Sequence, residues 1–256
     1  MIVTTALKNS ETLAEEAKRV ASELKVSFVQ RRGRSIAELV NEGGEGVFVV
    51  GSKYAIYRSG EGEPLFFHPN VAMLRVKRFL KGEKDPFLIA TKLTDNMSFL
   101  DCTLGLASDS ILASVIVGKN GQVVGVEANR FVAYLVTHGL TNYASQVHSM
   151  DEALRRIKVV HCDHLTFLRS QKDDQFDVVY FDPMFETKVK ESSGIESLRF
   201  FAFERPLTEE VIVEAKRVAK QRIVLKDHWQ SERFRQFGFQ VYKRPTALFH
   251  YATIEL

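Results

Sequence analysis

The apolar positions of this chain follow two rhythms. Up to about residue 92 they come in short runs punctuated by glycine. Leu13, Ala17, Val20, Ala21 and Leu24 recur at helical spacing, and Thr12-x-x-Glu15 has the form of a capping box at the start of that helix, expected over residues 10–24. VSFVQ (26–30), VFVV (47–50), KYAIY (53–57) and PLFFH (64–68) read as strands. A short helix is expected near 35–41, and another from 69 to about 80, where Pro69 suits a first helical turn. The expectation for residues 1–92 is a small α+β unit.

From about residue 95 the runs lengthen and alternate. MSFLDCT, QVVGVEAN, IKVVHCD, DVVYFDPMF and RIVLKD read as strands, separated by helical patterns over 108–117, 130–138, 165–170 and 208–220. Strand, helix, strand in this repetition implies right-handed crossovers and a parallel sheet covered on both faces. After a short helix over 231–237, FQVYKRP and ALFHYATIEL follow one another across a tight turn, so they must pair antiparallel. Residues 93–256 are therefore expected to form an α/β unit with a mostly parallel sheet and an antiparallel C-terminal strand.

Composition narrows the class. With 256 residues, 45% of them hydrophobic, the chain can bury a sizeable core. It has no apolar run of about 18 residues, and MIVTTALKNSETLAEEA turns polar too early for a secretory signal, so a cytoplasmic protein without a membrane span is expected. Cys102 and Cys162 lie outside any CxxC pattern, which predicts reduced thiols and no metal site. A formal charge of +3 permits a nucleic-acid partner, and Arg31, Arg32 and Arg34 form one basic cluster while Arg75, Lys77 and Arg78 form another.

The chemistry sits where the strands end, because ligands of an open parallel sheet bind outside the carboxyl ends of its strands. The first long strand ends in Asp101, Cys102, Thr103, Leu104 and Gly105, a turn in which glycine lets the backbone approach a ligand. The second ends at Glu127, suited to grip the vicinal hydroxyls of a ribose. The third ends in His161, Cys162, Asp163 and His164, where Asp163 could accept from an adenine amino group. The fourth runs into Asp182, Pro183, Met184 and Phe185, and proline stops the strand. Four strands thus deliver polar groups to one edge. Gly105 and Glu127 would also fit a nicotinamide dinucleotide, although the three-glycine fingerprint is missing.

With these residues in place, the chain resembles the class I S-adenosylmethionine-dependent methyltransferases, with their Rossmann-like sheet. More narrowly, residues 98–227 are similar to the RsmJ family, which methylates the exocyclic N2 of a guanine in 16S ribosomal RNA of the small subunit. LDCTLGLASDS, VVGVEAN, HCDHLTFL and VVYFDPMF carry the likeness. The resemblance implies S-adenosyl-L-methionine as cofactor, with Ser108, Asp109, Glu127, Ala128, Asp163, His164 and Asp182 lining its pocket beside the Asp101, Thr103 and Gly105 turn. Ala107 stands where the family usually has glycine, and Glu186 where it has proline.

The same resemblance gives DPMF a task. A purine exocyclic amine is a poor nucleophile until its N–H bonds are held. The Asp182 carboxylate and the Pro183 carbonyl could each accept one, while Phe185 stacks on the base for about 1–3 kcal/mol. The base must be unpaired or flipped out to reach them. Arg75, Lys77, Arg78, Lys188 and Lys190, with Arg155 and Arg156, are expected at RNA phosphates. Amine transfer to another RNA, DNA or a small molecule, nicotinamide chemistry, and RNA binding without catalysis stand as the alternatives.

Overall fold

Two sheets organise the chain in the computed structural model, which describes residues 1–58, 63–183 and 206–256. The smaller has the order β1 (Ile2–Thr5), β2 (Val47–Val50), β3 (Ala55–Tyr57) and β4 (Leu65–Phe66), with β1 and β2 parallel and the rest antiparallel. It carries α1 (Ala14–Glu23) and α2 (Ile36–Gly43). The sequence misleads at two places here. Thr12 donates its hydroxyl to the Asn9 carbonyl instead of capping α1; the capping box belongs to α2, where Ser35 and Glu38 satisfy each other's backbone N–H groups. VSFVQ forms no strand beyond a single bridge from Phe28 to Val3.

Next come α3 (Asn70–Leu80) and α4 (Pro86–Thr91), the latter with Asp85 as N-cap and proline in its first turn. The expected division at residue 92 falls after these two helices, yet both pack toward the larger sheet. Phe87 meets the rings of Phe99, Tyr180 and Tyr251 edge-on, and the buried core continues from Val3 and Phe48 to Val224 and Tyr251.

The larger sheet is built by β5 (Ser98–Asp101), α5 (Ser108–Val117), β6 (Gln122–Glu127), α6 (Arg130–Asn142), α7 (His148–Arg156), β7 (Lys158–His161), α8 (His164–Arg169), β8 (Phe176–Phe181), α9 (Glu209–Val218), β9 (Ala219–His228), α10 (Arg233–Gln236), β10 (Gln240–Tyr242) and β11 (Phe249–Glu255). Its order is β10-β11-β9-β8-β5-β6-β7. The pairs from β7 across to β9 are parallel; β11 lies antiparallel between β9 and β10, as the tight turn in the sequence requires. Val178, Val179, Tyr180 and Phe181 are buried because both faces are covered, Val178 and Tyr180 joining the core beneath α5, and Val179 and Phe181 the core beneath α8 and α9. Among the described residues no helix is long and apolar enough to cross a membrane.

Candidate active site

Strands β5 to β9 run parallel, so their last residues meet along one edge. At the end of β5, buried Asp101 accepts from the Thr103 N–H (3.0 Å) through one oxygen and from the Ser110 hydroxyl (2.7 Å) through the other. Burial pushes its pKa up to about 7, against the pull of those two donors. The turn so clamped is left-handed at Gly105 (φ 48°) and at Ala107 (φ 63°). Gly105 adopts this freely, while the Ala107 Cβ costs about 1–2 kcal/mol. The Thr103 hydroxyl donates to Asp101 at 3.4 Å and accepts the Asp182 N–H at 2.6 Å, which ties the turn to the end of β8.

Glu127 ends β6 with one oxygen accepting from the Gly105 N–H (3.2 Å) and the other from the Asn129 N–H (2.8 Å). Burial raises its pKa, and these backbone donors oppose the rise. Ser108 opens α5, half-buried, and the Ala128 carbonyl lies 3.1 Å from His161 Nε2. Beyond β7, Asp163 caps α8 by accepting from the Thr166 N–H (3.1 Å), and the His164 ring stands edge-on to Phe181. The turn after β5, Glu127 and the Asp163 cap thus share one edge with Asp182.

Asp182 follows β8 directly, its Oδ2 only 2.5 Å from Lys226 Nζ on neighbouring β9. Lys226 also lies 3.7 Å from Asp109, which accepts from the Tyr180 hydroxyl (2.9 Å) and from Arg75 (2.5 Å). Arg75 in turn grips Asp85 through two nitrogens, at 2.9 and 3.0 Å. The result is a row of alternating charges, Asp85, Arg75, Asp109, Lys226 and Asp182. Burial pushes the Asp182 carboxyl up to about 6, although Lys226 pulls it down. Burial would raise Asp109 as well, but Lys226 and Arg75 hold it at about 2.

This row revises two expectations. Arg75, assigned to an RNA phosphate, is taken up by Asp85 and Asp109, and charge alone could not reveal those partners. Asp109, assigned to the cofactor pocket, is buried and engaged by Arg75, Tyr180 and Lys226, so it braces the site from within. Arg155 and Arg156 bond backbone carbonyls of Leu140, Tyr143 and Ser114. Lys77 and Arg78 are exposed on the last turn of α3, with Arg78 paired to Glu83. Phe185, Lys188 and Lys190, with Met184 and Glu186, lie outside the described residues. Sequence reasoning missed Lys226; its signal was a lysine directly after the apolar run IVL (223–225) on a buried strand.

Comparison with known proteins agrees with this geometry. Residues 66–237 match the family model described as "Putative SAM-dependent methyltransferase". The chain is 44% identical over 254 residues to "Uncharacterized protein YpiP" of Bacillus subtilis, covering 99% of each. It is 29% identical to Ribosomal RNA small subunit methyltransferase J of Haemophilus influenzae over 150 residues, which span 57% of this chain and 56% of that one. Its fold is similar to the crystal structure of a SAM-dependent methyltransferase from Neisseria gonorrhoeae, with a TM-score of 0.65 and 15% identity over 100% of this chain and 96% of that one.

Proposed function

The chain belongs to the SAM-dependent methyltransferase family, and from that membership we propose that it methylates the exocyclic N2 of a guanine in small-subunit ribosomal RNA. Its cofactor is S-adenosyl-L-methionine, which supplies an electrophilic methyl group on a sulfonium. The donor set fits that group. Backbone N–H groups of Gly105 and Asn129 each hold one Glu127 oxygen and fix the carboxylate for a ribose hydroxyl, Gly105 leaves room for close approach, and Asp163 stands one strand farther along.

The observation that carries the reading is the placement of Asp182. Asp182 stands half-buried at the strand end, its backbone N–H held by the Thr103 hydroxyl and its carboxylate by Lys226. In its ionised form it accepts one N–H of the target amine, and the Pro183 carbonyl accepts the other. Two acceptors in fixed positions turn the nitrogen lone pair outward, toward the edge where Glu127 and Gly105 lie, and positioning of this kind supplies much of a transfer barrier's reduction. Asp182 is also the group beside which the amine sheds its proton. Similarity to Ribosomal RNA small subunit methyltransferase J supports the choice of guanine N2 and of ribosomal RNA.

The test is a nucleoside mass profile of small-subunit ribosomal RNA from cells with and without the gene. Loss of N2-methylguanosine on deletion is the expected result; an unchanged profile overturns the substrate and directs the search to another RNA, DNA or a small amine. Restoring the gene as Asp182→Ala should leave the modification absent. In vitro that variant should transfer methyl at least about a hundredfold more slowly while still binding cofactor.

A further inference from the structure

The cofactor-fitting residues end β5, β6 and β7, and Asp182 ends β8, so the side of the edge left for a substrate is β9. There stands Trp229, the single tryptophan of the chain, immediately after β9 and three residues beyond Lys226. It is 52% exposed, beside Leu248 at 51%, whose carbonyl accepts the Trp229 N–H at 3.0 Å. The turn is held by backbone and side-chain hydrogen bonds that do not involve the indole, and nothing in the core requires an indole in water here.

The platform is nonetheless firm. The His228 ring lies 5.9 Å from the Trp229 ring. Beneath them, buried Asp227 accepts from the His228 N–H (2.7 Å), the Ser231 hydroxyl (2.6 Å) and Arg233 (3.1 Å), locking the turn. The β10–β11 turn beside it adds exposed Lys243, and Arg244 reaches the Phe249 carbonyl at 3.4 Å. An exposed aromatic face flanked by cations is how proteins hold single-stranded nucleic acid. Three residues of extended chain place Trp229 about 10 Å past Lys226, too far for the reacting base and suited to a neighbouring one.

We propose that Trp229, backed by Leu248 and His228, stacks a nucleobase adjacent to the target nucleotide, with Lys243 and Arg244 toward its phosphates. The inference rests on the reading of this chain as a nucleic-acid methyltransferase. Because Trp229 is the only indole, its emission reports directly. The full chain is titrated with a single-stranded RNA decamer of mixed sequence, with the same decamer annealed to its complement, and with a DNA decamer. Binding is followed in parallel by anisotropy of the labelled strand.

Single-stranded RNA should quench the emission more than duplex does. Trp229→Ala should weaken decamer binding about tenfold, Trp229→Phe should recover most of it, and cofactor affinity should stay unchanged in both. Binding without quenching, an unchanged Kd in Trp229→Ala, or no binding at all overturns the platform even if deletion abolishes N2-methylguanosine. Quenching by RNA with an unchanged nucleoside profile sinks the ribosomal substrate and leaves the platform standing. Stronger quenching by the DNA decamer keeps the platform and reassigns the strand it serves.

Discussion

Lys226 has a double task at residue scale. It pairs with two carboxylates, and it lowers the pKa of half-buried Asp182 where desolvation favours the protonated form. Asp182 can accept an N–H only as carboxylate, so activity should fall as pH drops through about 6. Lys226→Met removes the cation that lowers the Asp182 pKa, and the acid limb of kcat/KM should move upward by about one pH unit or more. Activity lost at neutral pH should then return in part as pH rises; a pH–rate profile decides, and an unmoved limb would remove Lys226 from this role. Asp182 and Glu127 were legible in the sequence because each ends an apolar run at a strand's carboxyl end. Lys226 was not, since its meaning lies in the side chain across the neighbouring strand.

At the scale of elements, the turn between β5 and α5 concentrates the cost of the site. Ala107 is left-handed at the N-cap of α5, although its methyl group is buried in the core. Ala107→Gly relieves that strain but gives the unfolded chain more freedom, so the net gain should be up to about 1 kcal/mol, a rise of about 2–4 °C in Tm. A fall in Tm would show that the methyl group is needed for packing. The sequence signals the turn through Gly105 and says nothing of Ala107's conformation. Elsewhere α4 and α7 escaped notice although their marks are present: Asp85 ahead of Pro86, and Met150, Ala153 and Leu154 at helical spacing. Both are short, and a strand follows each closely. The alternation of strand and helix survived because burial on both sheet faces leaves long apolar runs.

For the whole molecule, Arg75 joins the helices after the small sheet to the catalytic edge, holding Asp85 at the start of α4 and Asp109 in α5 at once. Arg75→Ala would leave Asp109 buried with one cation fewer and should destabilise the fold by about 3–5 kcal/mol in denaturant unfolding. The salt dependence of RNA affinity should stay unchanged in that variant, since a buried guanidinium releases no phosphate counterions. The basic clusters announced charge, and only the fold decides which charges face outward.

The row that passes through Arg75 holds three acids and two bases. Its sum is one negative charge, carried by a row that reaches the strand edge at Asp182. Such an edge attracts a sulfonium cation and is indifferent to the uncharged thioether that remains once the methyl has gone.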